Sequence, residues 1–295
     1  MKHTRQLPVG EEIFLDHIGC FVRDVEAATG ALQRLGFAPM PVSIQVNPGP
    51  AGGASRLTGT GNVTAMLSEG YIEVLFKTAE TPLAAELAAA TARYPGMHLT
   101  AFAVADAAAA HRRLSDQGFR VRPLSKMERP VDTGAAAGTA AFTVARIEPG
   151  EMREGRIQIL THHTEAMVWQ PRWLSHPNGA QGLLGIVIAV HDVAEAAQRF
   201  ARFTGRQARP ATFGQSIELD RGYVDLITAE GFARMLPNIR IPSLPFVGAC
   251  EIRIASLPAL RDLLKRSEID AAQRARHLVV EFPQALGQGA WLFRE

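Results

Sequence analysis

Apolar positions along the chain form short alternating runs, each followed by an amphipathic stretch, and this order recurs four times. Residues 17–24 read His-Ile-Gly-Cys-Phe-Val-Arg-Asp, a strand ending on an acid. Residues 25–35 then place Ala28, Leu32 and Leu35 on one helical face, and Gly36-Phe37 follows. The second copy has a strand at 99–106, a helix to 117 and Gly118-Phe119. The third has a strand at 185–192, a helix to 204 with Ala197, Phe200 and Ala201 on one face, and Gly205. The fourth has a strand at 249–256 and a helix at 257–266, with no closing glycine. At each junction Asp or Ser can accept from the open amides of the first helical turn. Glycine takes the left-handed position that stops the helix, and Pro258 sits in a first turn where no N–H is needed. Extended segments follow each helix, at 42–46, 62–67 and 71–77, then at 120–124, 140–146 and 156–161. The third unit has them at 207–212, 215–219 and 223–228, and the fourth at 277–282 and 290–294. The repeating unit is therefore βαβββ.

A βαβββ sheet has one face covered by its helix and one bare. Two units side by side curl their bare faces into a cup. Four units predict an α+β chain of two cupped-sheet halves. The first half is residues 1–163, with units at 13–77 and 98–162. The second is 182–295, with units at 183–228 and 246–295. Residues 164–181 hold Trp169, Pro171, Trp173, Pro177 and Gly179 and break both periodicities. They read as a connector that either packs between the halves or covers one cup.

The 295 residues are 47% hydrophobic and 20% charged, with Lys+Arg 31 against Asp+Glu 29, so a packed core is expected and disorder is not. The even charge balance speaks against a nucleic-acid binder. No apolar run is long enough to span a membrane, and residues 1–12 lack a signal-peptide pattern. The two cysteines, Cys20 and Cys250, lie in apolar runs and read as buried thiols, so a cytoplasmic protein is expected. Arg far outnumbers Lys and Ala is abundant, the composition of a GC-rich bacterial genome. The Gly-rich run at 49–53 is not followed by Gly-Lys-Ser/Thr, so it is no phosphate loop. No Gly-x-Ser-x-Gly or Cys-x-x-Cys string occurs.

The fourfold repeat resembles the vicinal oxygen chelate superfamily of glyoxalases, bleomycin-resistance proteins and extradiol dioxygenases. Leu15-Asp-His-Ile18, Gly59-Thr-Gly-Asn62, Gly70-Tyr-Ile-Glu-Val-Leu75, Val168-Trp-Gln-Pro-Arg-Trp-Leu174 and His176-Pro-Asn-Gly179 resemble its glyoxalase-like domain proteins. In metal-using members the ligands come from the first and last strands of two paired units. Those positions fall on His17 and Glu73 in unit one and on Leu99 and Gln158 in unit two. Strand alternation turns His17, Gly19 and Phe21 one way, and Tyr71, Glu73 and Leu75 with them. A carboxylate amid Tyr-Ile-Glu-Val-Leu-Phe needs a metal or a buried partner. Leu99 cannot bind a metal and His98 faces the other way unless a bulge re-aims it, so the resemblance implies His17, Glu73 and Gln158 as ligands for Zn, Ni, Mn or Fe. In the second half the same positions hold Gly185, Asp225, Ala249 and Leu292, which form no metal site. That departs from the dioxygenase pattern and disfavours iron-dependent ring cleavage. Asp225 reads as a salt-bridge partner there.

Two functions follow as expectations. One is a divalent-metal-dependent isomerase or lyase acting on a small oxygen-chelating substrate, with Glu73 and His17 catalytic. The other is a metal-free binding protein of the bleomycin-resistance kind, walled by Phe21, Leu75, Leu99 and Leu160. Asn62 is a candidate substrate contact in both. The expected partner is a small molecule, with no nucleic acid and no membrane, and a homodimer is open. His162 and His163 stand near a rim and read as solvated or capping groups. His176 reads as part of a turn, and His111 as solvated.

Overall fold

The computed structural model describes residues 5–47, 54–134 and 137–295, so the glycine-rich run at 49–53 lies outside the described residues. Unit one is β1 (Ile13–Phe21), α1 (Val25–Arg34), β2 (Ser43–Asn47), β3 (Arg56–Met66) and β4 (Tyr71–Lys77). Unit two is β5 (Gly96–Val104), α3 (Ala107–Asp116), β6 (Ser125–Asp132), β7 (Ala137–Arg146) and β8 (Arg156–His162), with α2 (Pro82–Arg93) between the two units. After α4 (Glu165–Val168), unit three is β9 (Ala180–Val190), α5 (Val193–Thr204), β10 (Ala208–Ala211), β11 (Gly214–Glu218) and β12 (Tyr223–Thr228). After α6 (Ala229–Met235), unit four is β13 (Phe246–Ile254), α7 (Leu257–Arg266), β14 (Ala272–Arg274), β15 (His277–Glu281) and β16 (Ala290–Arg294). The fold is thus α+β, four βαβββ modules paired into two cupped sheets.

The junction chemistry has the expected form. Asp24, Asp106, Asp192 and Ser256 each accept a first-turn amide of α1, α3, α5 and α7. Gly36, Gly118 and Gly205 adopt positive φ after their helices, and in unit four Glu268 carries that conformation (φ 55°) without a glycine.

Four elements depart from the pattern. The strand expected at 120–124 lies instead at Ser125–Asp132, beyond Pro123, which has no N–H for a ladder. Only Val121, bridged to Ile147, is paired in the expected stretch. The short β14 was not anticipated, nor were α2 and α6. Their caps were in plain view, since Thr81 accepts from Ala84 and Thr228 from Gly231.

Strand register makes the two halves different. In the first, β1 lies parallel to β4 and antiparallel to β5, and the order β1–β4–β3–β2–β6–β7–β8–β5 returns to β1. The ring closes between β2 and β6 through the pair Val46–Glu128. In the second, β10–β11–β12–β9–β13–β16–β15–β14 forms an open arc.

The outer faces of these sheets hold the main core. Ile18, Cys20, Ile72 and Val74 pack there with Ala28, Ala31 and Leu32 of α1. Both cysteines are buried and free, and burial pushes the Cys20 thiol up to about 12. Inside the ring the two ends are stoppered. At one, Leu87 of α2 packs on Phe21, Leu75 and Leu99. At the other, Val168 and Trp169 pack on Met66, Tyr71, Val131 and Ala140, so the connector covers the first cup. The second cup is filled by Phe232 of α6, Leu236 and Ile239, packed on Val187, Ala249 and Leu292. Among the described residues, no helix is long and apolar enough to cross a membrane.

The halves meet where Met97 of β5 pairs with Val247 of β13. Arg199 of α5 adds a two-pronged bond to Glu154, at 2.7 and 2.9 Å, ahead of β8. Both side chains are buried, and removing the cation leaves a bare carboxylate inside the protein. Arg199→Ala is expected to cost about 3 kcal/mol in chemical denaturation. A change below about 1 kcal/mol would show that this pair does not hold the halves together.

Candidate functional site

The chemistry of the ring begins with a break in β1. The β1–β5 register shifts between Leu15 and His17, so a bulge falls at Asp16. Strict alternation sends neighbours to opposite faces, and the bulge lifts that rule. Asp16 is fully buried, with Oδ2 2.7 Å from His17 Nδ1 and Oδ1 2.9 Å from His162 Nε2. One carboxylate therefore joins β1 to β8. Burial works against its charge, but attraction to His162 and the hydrogen bonds from both rings outweigh it, and the carboxyl is held well below the usual range.

Aromatic rings wall this cluster. His17 stacks on Tyr71 at 4.3 Å, and His162 lies edge-on to Trp169 at 4.7 Å and to Phe142 at 5.1 Å. Burial, with Asp16 and Glu73 nearby, raises the Tyr71 phenol well above its ordinary value.

With Nδ1 bound to Asp16, His17 turns Nε2 toward Glu73, whose Oε2 lies 3.7 Å away. The other carboxylate oxygen, Oε1, accepts from Asn62 Nδ2 and from Gln45 Nε2 at 3.4 Å. Gln45 in turn accepts from Thr60 at 2.7 Å. His17, Glu73, Asn62 and Gln45 line a cavity of about 70 Å³ inside the ring, together with Leu75, Leu99, Leu160 and Gln158. Three guanidinium groups, Arg129, Arg146 and Arg156, share its wall. Gln158 Oε1 accepts from Arg146 Nε at 3.2 Å.

The structure brings His17, Glu73, Asn62, Gln158, Leu75 and Leu99 to one cavity. Phe21 is on the same strand face, but α2 seals it at the ring end, and Arg156 sits over its ring at 5.1 Å. His162 is not solvated, since its side chain is fully buried on Asp16. His163 is an exposed group 2.8 Å from Thr143. His176 is structural, taking the Ala38 amide at 2.9 Å and bonding the Met66 carbonyl at 2.6 Å. His111 bonds the Arg122 carbonyl at 3.0 Å. His98 faces Tyr94, with Nε2 2.6 Å from its carbonyl, and burial lowers its pKa to about 4.

The expected metal ligands do not fit a divalent ion. His17 Nε2 and one Glu73 oxygen are directed at the cavity, but the other Glu73 oxygen is held by two amides. Gln158 presents its oxygen to a guanidinium, and Leu99 supplies no donor. Three arginine charges on the same wall oppose a dication. Among the described residues, no group of three or more His, Cys, Asp and Glu is arranged to hold a metal.

The second half has its own polar knot. Glu251 accepts from the Tyr223 hydroxyl, meets Arg294 and lies 2.9 Å from His277. The Tyr223 ring covers Gly185, where an added Cβ would meet it at 2.2 Å. Asp225 forms no ion pair among the described residues, and burial raises its carboxyl. The salt bridge expected for Asp225 is thus made by Glu251 instead.

Solved structures share this architecture. A hypothetical protein from Staphylococcus aureus aligns with a TM-score of 0.64 at 12% identity, covering 96% of this chain and 99% of its own. A mutant of 4-hydroxymandelate synthase from Streptomyces coelicolor gives 0.58 at 14% identity, covering 96% and 92%. A Mn(II)-bound glyoxalase from Novosphingobium aromaticivorans gives 0.54 at 12% identity, covering 96% and 82%. At these identities the likeness is one of fold. No curated protein matches the sequence. A family model described as a glyoxalase-like domain matches residues 15–204, well over half of the chain. The chain therefore belongs to the glyoxalase-like domain family, within the vicinal oxygen chelate superfamily.

Proposed function

We propose that the first ring is the active site of an isomerase or lyase that moves a proton on a small oxygen-bearing organic substrate without a metal held by this chain. The observation that carries this reading is the line Asp16–His17–Glu73. A buried carboxylate that binds Nδ1 fixes the imidazole's orientation and leaves Nε2 as its working nitrogen. The 3.7 Å from Nε2 to Glu73 Oε2 is longer than a hydrogen bond, so neither atom is committed to the other and both are left to meet a substrate in the cavity.

Asp16 is the positioning residue in this scheme. His17 Nε2 takes a proton from carbon beside a carbonyl, and the C–H electron pair moves into an enolate. Glu73 carries a proton on the far side of the gap. Return of a proton to the adjacent atom completes an isomerisation, and departure of a leaving group from the next carbon completes an elimination. The developing negative charge arises beside Arg146 and Arg156. A binding protein for a flat apolar ligand is favoured less, because Phe21 is sealed under α2 and charged groups share the cavity wall.

Deuterium wash-in from heavy water, followed by NMR across small 2-oxo acids and hydroxyketones, tests the reaction class. Exchange is expected at a carbon next to a carbonyl, with losses of roughly a hundredfold or more in His17→Ala and in Glu73→Gln. Equal exchange in wild type and both variants would remove these residues from catalysis. Added Zn, Ni, Mn or Fe is expected to leave Tm unchanged, and a rise lost in His17→Ala would contradict the donor-set reading.

Asp16 gives a pH signature. Its folded carboxyl lies below the usual range, so the unfolded chain takes up the proton first as pH falls. The stability it contributes is present above about pH 4 and is lost progressively below that. Asp16→Asn is expected to be less stable than wild type by about 3 kcal/mol at pH 7, with the gap narrowing in acid. A gap that stays constant down to pH 2 would show that Asp16 is not the paired group.

A further inference from the structure

The wall between two cavities holds a guanidinium nitrogen with no hydrogen-bond partner. The ring cavity of about 70 Å³ and a neighbouring cavity of about 440 Å³ share Arg146 and Arg156. Arg156 Nη2 is sealed from solvent and has no hydrogen-bond partner. Its guanidinium lies 5.1 Å over the Phe21 ring. Arg146 spends Nε on an amide oxygen and Nη2 on the Met127 sulfur at 3.2 Å, a weak acceptor.

Three of the nearby acids are committed elsewhere, while the fourth, Glu128 at the exposed edge of the ring cavity, faces solvent. Glu86 and Glu148, which line the larger cavity, both bind Arg122, at 2.7 and 3.1 Å. Glu73 holds Asn62 and Gln45. Burial, with the Arg146 charge beside it, lowers the Arg156 pKa to about 10, which still leaves it a cation near neutral pH. A sealed guanidinium nitrogen without an acceptor costs stability, and the oxygen of a bound anion would supply that acceptor.

We infer that Arg146 and Arg156 form a subsite for the carboxylate of a small organic acid, placed so that the atoms beyond that carboxylate reach the His17–Glu73 gap. The planar two-oxygen face of a carboxylate matches the guanidinium fork. A phosphate dianion is the poorer match, since the Asp16 carboxylate already puts negative charge near the ring cavity. The assignment rests on the proton-transfer reading for the direction in which the ligand points, but the anion site itself does not depend on catalysis.

Binding to the full-length protein, read by isothermal titration or saturation-transfer NMR, separates the two. The probes are pyruvate, malonate, the neutral isostere pyruvamide, and inorganic phosphate. At least one carboxylate is expected to bind about tenfold or more tightly than pyruvamide, and Arg156→Gln to lose that margin. Glu73→Gln is expected to keep carboxylate binding even if it shows no proton exchange, so a failure of catalysis and a failure of the subsite read differently. Arg156→Met, which removes the unpartnered nitrogen at similar length, is expected to raise Tm of the free protein and abolish the carboxylate preference. Pyruvamide binding as well as pyruvate, no binding of either carboxylate, or full binding by Arg156→Gln would overturn the subsite. Arg156-dependent binding of phosphate in preference to both carboxylates would overturn the carboxylate assignment, and a lower Tm in Arg156→Met would make Arg156 a structural residue.

Discussion

A charge inside a folded protein must be answered by neighbours, and in this chain the Asp16 carboxylate is the one around which the first ring is arranged. It sits at a bulge in β1 and accepts from a ring on its own strand and a ring on β8. That contact does two things at once. It ties the start of unit one to the end of unit two, and it turns one imidazole nitrogen toward Glu73. The aromatic cover of Tyr71, Phe142 and Trp169 excludes water from the same point, which strengthens each of these electrostatic contacts.

The two halves show how one scaffold is given different interiors. The first closes into a ring whose ends are stoppered by α2 and by Trp169, leaving a polar layer between apolar plugs. The second stays an open arc, and Phe232, Leu236 and Ile239 occupy the space that a ligand would need. Its buried acid, Glu251, is satisfied by Tyr223, His277 and Arg294. A satisfied acid in a filled cup stabilises a fold. A line of groups with one nitrogen and one oxygen left facing a gap is suited to handling a proton.

Much of this was legible in the residues. Local rules, namely an acidic cap, a helical face and a stopping glycine, act within a few positions, and so four βαβββ units could be read directly. Alternation likewise turned His17 and Glu73 to one face, and the family resemblance brought Gln158 to them. The same alternation along β8 puts Arg156, Leu160 and His162 on the face of Gln158, a signal that a preference for solvated histidines overrode. Arg146 is paired across the ladder with Gln158, which requires knowing the β7–β8 register. Asp16 was the hardest to place, because alternation points it away from His17 and only the bulge in the β1–β5 pairing brings both to one cluster. Phe21 shows the opposite error: its face was right, but α2, which was not anticipated, covers it.

The central claim is that an ionised Asp16 fixes the tautomer and aim of His17. Nitrogen-15 NMR of histidine-labelled protein, with the His17 ring assigned by its absence in His17→Ala, addresses this directly. The account predicts that His17 Nδ1 carries a hydrogen at every pH where the protein is folded, and that in the neutral ring Nε2 is the bare nitrogen. A neutral His17 ring with its hydrogen on Nε2 and a bare Nδ1 would contradict it.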